Sequence, residues 1–504
     1  MIPASSLGRS LCVAALALNL TACSLVTPKA LTPAQAAEVA AADRSAAGAG
    51  ISPLAGDLRL EEALARALKY NLDLRVKLME EALALNLLEV TKGDMLPKIL
   101  GQVGYSVRDS DRISQSRDST SPDGDLLPSR FISQERSHTL SELGLSWSLL
   151  DFGLGYYSSQ QQADRVLIAA EKRRKAMHLL MQDVRIAFWR LASAQQLELQ
   201  VRNAIALAED ALADSRKSEN ARVANPADTM RYQRQVLENL RVLEAVAQEL
   251  SSAQVDLAAL IHAPVGQKIR VVQPAFDGGS PAILNQTVER LEEVALASNP
   301  DLRERHYESR IARLEARKAL ARMFPNLSFN YSFNNDTDRY LVNNTWNQAG
   351  AQLSYNFMTL LSYGKIKRYT AAGVSIADER RITAHMAVLA QVHLARLGVA
   401  NAAGQLVRAR EIAEVDQRLA TLAADQEQAT ALSKLERVSS QAAAILSQLR
   451  HLQALSEAQA AEARLMAVLG IEPQVPSVTD TSLAELTAML ARPATWSVSS
   501  GTNY

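Results

Sequence analysis

The chain is poor in cysteine and in aromatic residues, and it carries no net charge. Only two of its 504 residues are cysteines, Cys12 and Cys23, so disulfide bonds cannot hold a fold together. Its 54 basic and 54 acidic side chains cancel, which gives no reason to expect a nucleic-acid or acidic-lipid partner. Aromatic residues make up 5% of the chain and alanine is abundant, a composition that suits long, closely packed helices.

Long apolar runs are missing as well. No stretch reaches the roughly 18–20 apolar residues that a membrane-spanning helix needs, which argues against a helical transporter. Membrane β-strands are only about 10 residues long and mostly escape such a scan, so this absence does not exclude them.

The sequence also lacks the residue patterns of an enzyme. It contains no His-Glu-x-x-His, no phosphate-binding loop, no Gly-x-Ser-x-Gly and no Gly-x-Gly-x-x-Gly. His385 and His393, eight residues apart on one helix face, are the best pair of histidines, and such a pair more often has a core or surface role than a metal. We therefore expect no catalysis, no cofactor and no metal site.

The first 23 residues predict a secreted lipoprotein. Arg9 precedes a short apolar run, 11–18, which is typical of a secretory signal peptide over residues 1–22. The Leu-Thr-Ala-Cys at residues 20–23 resembles a bacterial lipobox, in which the thiol, here of Cys23, takes a diacylglycerol and the freed amine can take an acyl chain such as palmitate. Several acyl chains on one residue give stable anchoring. The alternative is an ordinary leader with an incidental cysteine.

The segment that follows predicts a lipidated tether. Ser24 is not an aspartate, and this resembles the sorting signal of outer-membrane lipoproteins. Residues 23–56 are rich in alanine, proline and serine, so we interpret them as a tether or extended arm.

The rest of the chain contains two copies of one unit. Residues 67–75 and 295–303 share six of nine residues at an offset of 228, and the same offset aligns Pro97 with Pro325. Each of these prolines ends a helical pattern and opens an alternating one. Beyond the alternating segments the offset becomes 208. Matches kept across helix, proline and strand indicate a duplication.

Each copy reads as a helix, a strand, a loop, a second strand and a long helical hairpin. The first copy spans residues 57–263, with strands at about 98–108 and 140–150 and a hairpin at about 153–262. The second spans 285–471, with strands at about 326–335 and 348–358 and a hairpin at about 364–470. A linker rich in proline and glycine, 264–284, joins the copies, and a tail, 472–504, follows.

The four predicted strands alternate between apolar and polar residues. Residues 327–334 read Leu-Ser-Phe-Asn-Tyr-Ser-Phe-Asn, and residues 351–357 continue the same alternation. The polar positions are almost all uncharged, and 16 of the 24 aromatic residues fall in residues 97–157 and 324–369. Aromatic residues at strand ends are typical of membrane strands, whereas a soluble sheet on a core would explain the alternation alone.

Four such strands cannot close a barrel, and open sheet edges are not tolerated in lipid. We therefore expect the chain to oligomerise, and three copies would supply twelve strands. The segments between strands, 109–138 and 334–346, are long and polar, as are the extracellular loops of outer-membrane barrels.

The helical hairpins are too long for an ordinary domain. From residue 153 to about 222 there is no proline, and about 70 helical residues extend roughly 100 Å. On the return segment Val236, Leu240, Leu243 and Ala247 step by four and three, which is a heptad pattern. Alone, this favours a soluble coiled coil; joined to membrane strands, it favours a helical tunnel below a barrel.

Together these features resemble the TolC-like outer-membrane efflux proteins, more specifically the lipoprotein members that serve efflux pumps. The resemblance covers about residues 57–471. It implies a mainly α fold with membrane β-strands, in which three chains form a twelve-stranded barrel on an α-helical barrel. It further implies a homotrimeric exit duct in the bacterial outer membrane that extends into the periplasm. A periplasmic adaptor and an inner-membrane transporter of the RND or ABC type would be its partners.

The resemblance also implies where the adaptor binds. The family's hairpin tips resemble Gly-x-x-Ser-x-Leu-Asp/Glu, and both glycines are absent here. The adaptor-contact tips would then comprise Asn225, Pro226, Asp228, Ser433, Leu435 and Glu436. Family members close their tips with acidic residues, for which Asp425 and Glu427 are the candidates; simple solvated charges are the alternative.

Two other functions stay open on the sequence alone. One has the same fold and is a duct for type I protein secretion, paired with an ABC exporter. The other is a structural periplasmic coiled-coil lipoprotein, against which the alternating aromatic strands argue. No motif identifies a transported substrate.

Overall fold

The computed structural model describes residues 29–54, 56–117, 126–220, 226–264, 267–272, 282–428, 434–471 and 480–491. The predicted signal peptide, Cys23, Asn225 and Ser433 lie outside the described residues, as does the side chain of Leu435. The chain divides into two units after Leu54.

The first unit contains helix α1 (Pro33–Gly48). The Thr32 hydroxyl accepts a hydrogen bond from the backbone N–H of Gln35, and the Gln35 side chain accepts one from the Thr32 N–H. This reciprocal cap explains why the helix starts at Pro33. The arm is therefore helical over these residues, whereas its composition favours an extended tether.

The second unit repeats one order of elements. The first copy comprises α2 (Leu60–Tyr70), α3 (Leu72–Lys92), β1 (Lys98–Val107), a small hairpin of β2 (Ile113–Arg117) and β3 (Leu126–Ile132), β4 (Ser137–Ser148), α4 (Leu149–Asn220) and α5 (Pro226–Leu260). The second copy comprises α6 (Val288–Ser298), α7 (Pro300–Ala321), β5 (Asn326–Asp336), β6 (Thr345–Ser354), α8 (Met358–Gln428) and α9 (Lys434–Leu469). A short helix, α10 (Leu483–Leu490), follows and packs on α2.

The main sheet is antiparallel and has the strand order β1-β4-β5-β6. Ile99 lies opposite Leu145, Leu145 opposite Tyr331, and Tyr331 opposite Ala349. Each copy thus supplies two strands, and the copies meet where β4 pairs with β5. Within the described residues, the outer edges of β1 and β6 pair with no other strand.

Two strand assignments differ from the sequence prediction. β6 ends at Ser354, so Tyr355 and Phe357 lie beyond the strand, where their rings are in edge contact at 5.0 Å. The Asn356 side chain accepts the backbone N–H of Met358 at 3.0 Å, so these residues lead into α8 instead of extending β6. The polar loop 109–138 contains the hairpin β2–β3, which lacks an apolar face and so gives no alternation signal.

Heptad-spaced apolar residues join the helical hairpins. The expected positions Val236 and Leu243 on α5 are fully buried, and Leu240 is half-buried. Leu243 belongs to a cluster with Leu197 of α4 and Ile445 of α9, so the two hairpins share one core. A second cluster packs α6 and α7 against α8 and α9.

Each copy also uses one asparagine to join its short helices to its hairpin. Asn71 and Asn299 cap α3 and α7, each accepting the backbone N–H three residues further on, at 3.0 and 3.1 Å. The amide nitrogens donate to the last turn of the returning helix, to the carbonyls of Leu260 at 3.4 Å and Val468 at 2.8 Å. The two carbonyls are 208 residues apart, which is the offset of the repeat.

In the part of the chain that the structure describes, one helix, α8, is long and apolar enough to cross a membrane by length and composition. The expectation that no stretch reaches this threshold is therefore wrong for α8. One such helix does not by itself establish a membrane span; 22% of its apolar window is buried, and Val392, Val399 and Leu406 belong to the core.

Candidate functional site: the two-faced sheet and the hairpin tips

One face of the main sheet is apolar and exposed. Its side chains are 40 to 76% exposed: Ile99, Val103, Tyr105, Leu143, Leu145, Phe329, Tyr331, Phe333 and Leu353. The strand register brings these residues onto one surface that runs across all four strands. An apolar surface of this extent is unfavourable in water and marks a site of contact with lipid or protein.

The opposite face is polar. A row across the strands contains Gln102, Glu142 and Asn334, which lie opposite one another, and ends at Trp346 of β6. Gly350 leaves room on this face, because a Cβ there would lie 2.7 Å from the Asn330 Oδ1 atom. The pattern of alternating faces predicted from the sequence is thus confirmed for β1, β4 and β5, and for β6 as far as Ser354.

Aromatic residues gather where the strands meet the helices. Trp147 stacks on Phe329, with ring centroids 6.3 Å apart, and contacts the edge of Phe152 at 5.9 Å. Tyr363 and Tyr369, in the first turns of α8, are exposed. Membrane strands carry such aromatic residues at the level of the lipid headgroups.

At the other end of the sheet, polar contacts hold the β5–β6 loop against β4. His138 Nδ1 lies 2.7 Å from Asp336 Oδ1, and both side chains are mostly buried. Asp338, also buried, accepts the backbone N–H of Glu135 at 3.1 Å. Neither pair was found from the sequence, because the partners lie about 200 residues apart.

The predicted tip residues that the structure describes lie at the starts of the returning helices. Pro226 is the first residue of α5, where its missing N–H costs nothing. Asp228, in the first turn, is exposed and pairs with Arg231 at 3.0 Å. Glu436 lies in the first turn of α9 and is also exposed. Both carboxylates are favourably placed at a helix N-terminus.

The candidate gate residues differ in their surroundings. Asp425 is exposed, whereas Glu427 accepts a 2.6 Å hydrogen bond from Arg437 across the second hairpin. In the first hairpin, Glu219 accepts a 2.7 Å bond from Gln233. Glu219 and Glu427 are 208 residues apart and are therefore equivalent, so both carboxylates fasten a hairpin near its tip. Gating by Asp425 or Glu427 stays a prediction.

No metal site is found: within the described ranges, no three His, Cys, Asp or Glu side chains come together to hold an ion.

Comparison with known proteins identifies the fold. No protein-family model and no curated protein matches the sequence. The outer-membrane channel OprN is similar in structure, with a TM-score of 0.62, 16% identity, and coverage of 82% of this chain and 89% of that one. The Campylobacter jejuni CmeC outer-membrane channel has a TM-score of 0.63, 12% identity, and coverage of 82% and 85%.

The open-state MtrE outer-membrane channel of Neisseria gonorrhoeae is similar to the same degree, with a TM-score of 0.61, 17% identity, and coverage of 82% and 89%. The fold is therefore that of an outer-membrane channel. More narrowly, it is the TolC-like fold of outer-membrane efflux proteins, with two strands and one long hairpin in each of two repeats.

Proposed function

We propose that this protein is the outer-membrane exit channel of a tripartite efflux system, and that it conducts substrates passively from a periplasmic pump and adaptor to the outside. The observation that carries the proposal is the four-stranded sheet, which is apolar on one exposed face, polar on the other, and open at β1 and β6. Lipid would cover the apolar face, since no described side chain does so. A neighbouring copy would pair with each open edge.

Three copies would close the sheet into twelve strands, with β6 of one chain beside β1 of the next. The polar rows that contain Glu142 and Asn330 would then line an aqueous lumen. Below the sheet, α4 and α8 have 72 and 71 residues, or roughly 105 Å at 1.5 Å per residue. Helices of this length support a conduit that crosses much of the periplasm. Acyl chains on Cys23 would add an anchor in the membrane.

Current measurements in planar lipid bilayers test this function. The purified mature protein is expected to produce discrete current steps and to migrate differently on gels before and after heating, as membrane barrels do. A protein that neither conducts nor shows heat-modifiable migration would contradict the proposal. That result would favour a structural coiled-coil lipoprotein instead.

The open edges allow a second test, because the mature chain would contain no free cysteine besides a lipidated Cys23. We would place one cysteine on β1, at Val103, and one in turn at Asn347, Ala349 and Ala351 of β6. At least one pair is expected to form disulfide-linked dimers and trimers. A matched pair inside the sheet, Leu143 with Phe333, should crosslink only within one chain.

The hairpin tips are the proposed docking site for the adaptor. Charge reversal at both exposed acids, Asp228→Lys with Glu436→Lys, is expected to weaken chemical crosslinking to the adaptor in cells. The matched control reverses Glu379 and Glu411, two exposed acids on α8 away from the tips. Unchanged crosslinking in the tip variant would exclude this docking site. A pump of the RND type and an ABC exporter of type I protein secretion would both fit such a channel.

A further inference from the structure

Although the chain has no net charge, positive charge is concentrated at the end of the sheet where the strands meet the helices. In the second copy, residues 315–326 and 354–369 carry six cations and one acid: Arg317, Lys318, Arg322, Lys365, Lys367 and Arg368 against Glu315. The equivalent residues of the first copy, 87–98 and 146–161, carry two cations and three acids. The two copies therefore share one fold and differ in charge at this end of the sheet. We call the six cations the basic collar.

The fold brings the two halves of the basic collar to the same level. Asn326 lies opposite Ser354, so α7 ends and α8 begins at the same edge of the sheet. Arg317 lies four residues before the end of α7, and Arg368 lies ten residues after the start of α8. At 1.5 Å per residue, all six cations lie within roughly 15 Å of the ends of their helices.

Within the part of the chain that the structure describes, the basic collar has no paired counter-charge. Five of its members are exposed and Lys318 is half-buried. Glu315 accepts a hydrogen bond from Gln161 of α4, and among the described residues no carboxylate forms an ion pair with any of the six cations. Arg368 Nε donates to the carbonyl of Gly364 in its own helix at 3.2 Å, which leaves most of its guanidinium free.

Large apolar side chains interleave with the cations at the start of α8. Met358, Leu361 and Tyr369 are 69, 78 and 80% exposed, and the first turn contains no acid. Apolar and aromatic side chains mixed with lysine and arginine are typical of a surface that lies at the boundary between lipid tails and headgroups. Long basic side chains can place their charged ends among the headgroups while their stems stay in the apolar layer.

We propose that the basic collar binds the phosphate groups of anionic phospholipids in the leaflet nearest the helices. The proposal rests on the proposed function, because it requires the apolar face of the sheet to lie in a membrane. Each cation near an anionic lipid surface strengthens binding by about fivefold, so three of them contribute about 100-fold. Since lipid charges are screened over about 8 Å at physiological ionic strength, the preference should weaken as salt is raised.

The test compares two lipids and two variants. Short-chain phosphatidylglycerol or phosphatidylcholine is titrated into the detergent-purified full-length protein, and Tm is followed. The collar variant is Lys365→Gln, Lys367→Gln and Arg368→Gln. The control is Arg380→Gln, Arg408→Gln and Arg418→Gln, which removes the same charge from exposed positions further along α8 that form no ion pair with any described residue.

Wild type and control are expected to be stabilised at much lower concentrations of phosphatidylglycerol than of phosphatidylcholine. The collar variant should lose at least tenfold of that preference. Equal titration midpoints for the two lipids in wild type would overturn the proposal. A collar variant that prefers phosphatidylglycerol as strongly as wild type does would also overturn it. An intact preference that phosphate ions abolish at equal ionic strength would show a free-phosphate site and would also overturn it.

Bilayer currents separate this inference from the proposed function. The collar variant should still conduct in neutral phosphatidylcholine bilayers, because the sheet and the hairpins are unchanged. If the wild type conducts but shows no lipid preference, the lipid site is wrong and the channel stands. If the wild type forms no channel in any bilayer, the proposed function itself fails.

Discussion

The side-chain amide of Asn299 connects α7 to α9, and replacing it should lower the stability of the protein. Its oxygen caps α7, and its nitrogen donates to the Val468 carbonyl at 2.8 Å in a buried position. Asn299→Ala is expected to cost about 2–3 kcal/mol of stability, from a lost cap and an unsatisfied carbonyl. The equivalent Asn71→Ala should cost less, since Asn71 is half-buried and its bond to Leu260 is longer. Denaturant unfolding measures both changes. A free energy of unfolding that neither substitution lowers would contradict this assignment.

Gly470 is needed for both its conformation and its small size. Its φ of +67° lies in the left-handed region, and a Cβ there would lie 2.3 Å from the carbonyl oxygen of Ser298. Gly470→Ala should therefore destabilise the protein by about 3 kcal/mol. Gly373→Ala, inside α8 with no atom near its Cβ, should instead stabilise it by about 0.5–1 kcal/mol. Thermal unfolding of the two variants tests this, because Tm should fall for Gly470→Ala and rise for Gly373→Ala.

The sequence reveals Asn71 and Asn299 as a repeated pair but not what they bind. Six identities in nine residues make them visible. Their second bond reaches a carbonyl 169 residues away in the case of Asn299. Apolar periodicity identifies the buried face of each helix and does not say which carbonyl will lie opposite a given side chain. Apolar periodicity likewise does not predict the polar pairs Glu219–Gln233 and Glu427–Arg437, which connect the two helices of each hairpin.

Among the elements, the contact between α7 and α8 should depend on pH. The Ser309 hydroxyl donates to Asp378 at 2.7 Å, and this bond, with Arg313 and Arg381 nearby, lowers the pKa of the Asp378 carboxyl. The folded protein therefore holds this proton less tightly than the unfolded chain does. The stabilisation is present above the ordinary carboxyl pKa of about 3.9 and is lost as pH falls through the lower pKa of the folded state.

Asp378→Asn is accordingly expected to lower Tm at neutral pH, and its difference from wild type should shrink below about pH 4. Glu379→Gln is the matched control, because it removes one exposed carboxylate from the neighbouring position and no described cation pairs with it. A Tm difference for Asp378→Asn that stays constant from neutral to acidic pH would show that charge plays no part in this contact.

The long elements were more predictable than the short ones. Proline-free stretches and heptad spacing give α4, α5, α8 and α9 to within a few residues, because helix periodicity persists over many turns. The strands were found from alternation, which requires two chemically different faces. The hairpin β2–β3 lacks such faces, and Tyr355 and Phe357 carry the alternation past the end of β6.

For the whole molecule, two adjacent residues distinguish the two environments of the sheet. Tyr331 lies on the apolar face and Asn330 on the polar face, both in the middle of β5. Tyr331→Lys should impair insertion by about 2–4 kcal/mol for each chain, since it places a charge against lipid. Asn330→Lys should insert normally and shift the ion selectivity of the channel toward anions, because it adds a positive charge to the proposed lumen. Membrane fractionation and reversal potentials measure the two effects, and equal insertion defects would contradict the two-faced arrangement.

Three copies around an axis are proposed because, among the described residues, one chain leaves both edges of its sheet open and its apolar face uncovered. Electron microscopy of the detergent-purified mature protein tests this most directly. We expect elongated particles with threefold symmetry and a detergent belt at one end only. Single rods without a detergent belt would contradict it, and the chain would then be a periplasmic coiled-coil protein.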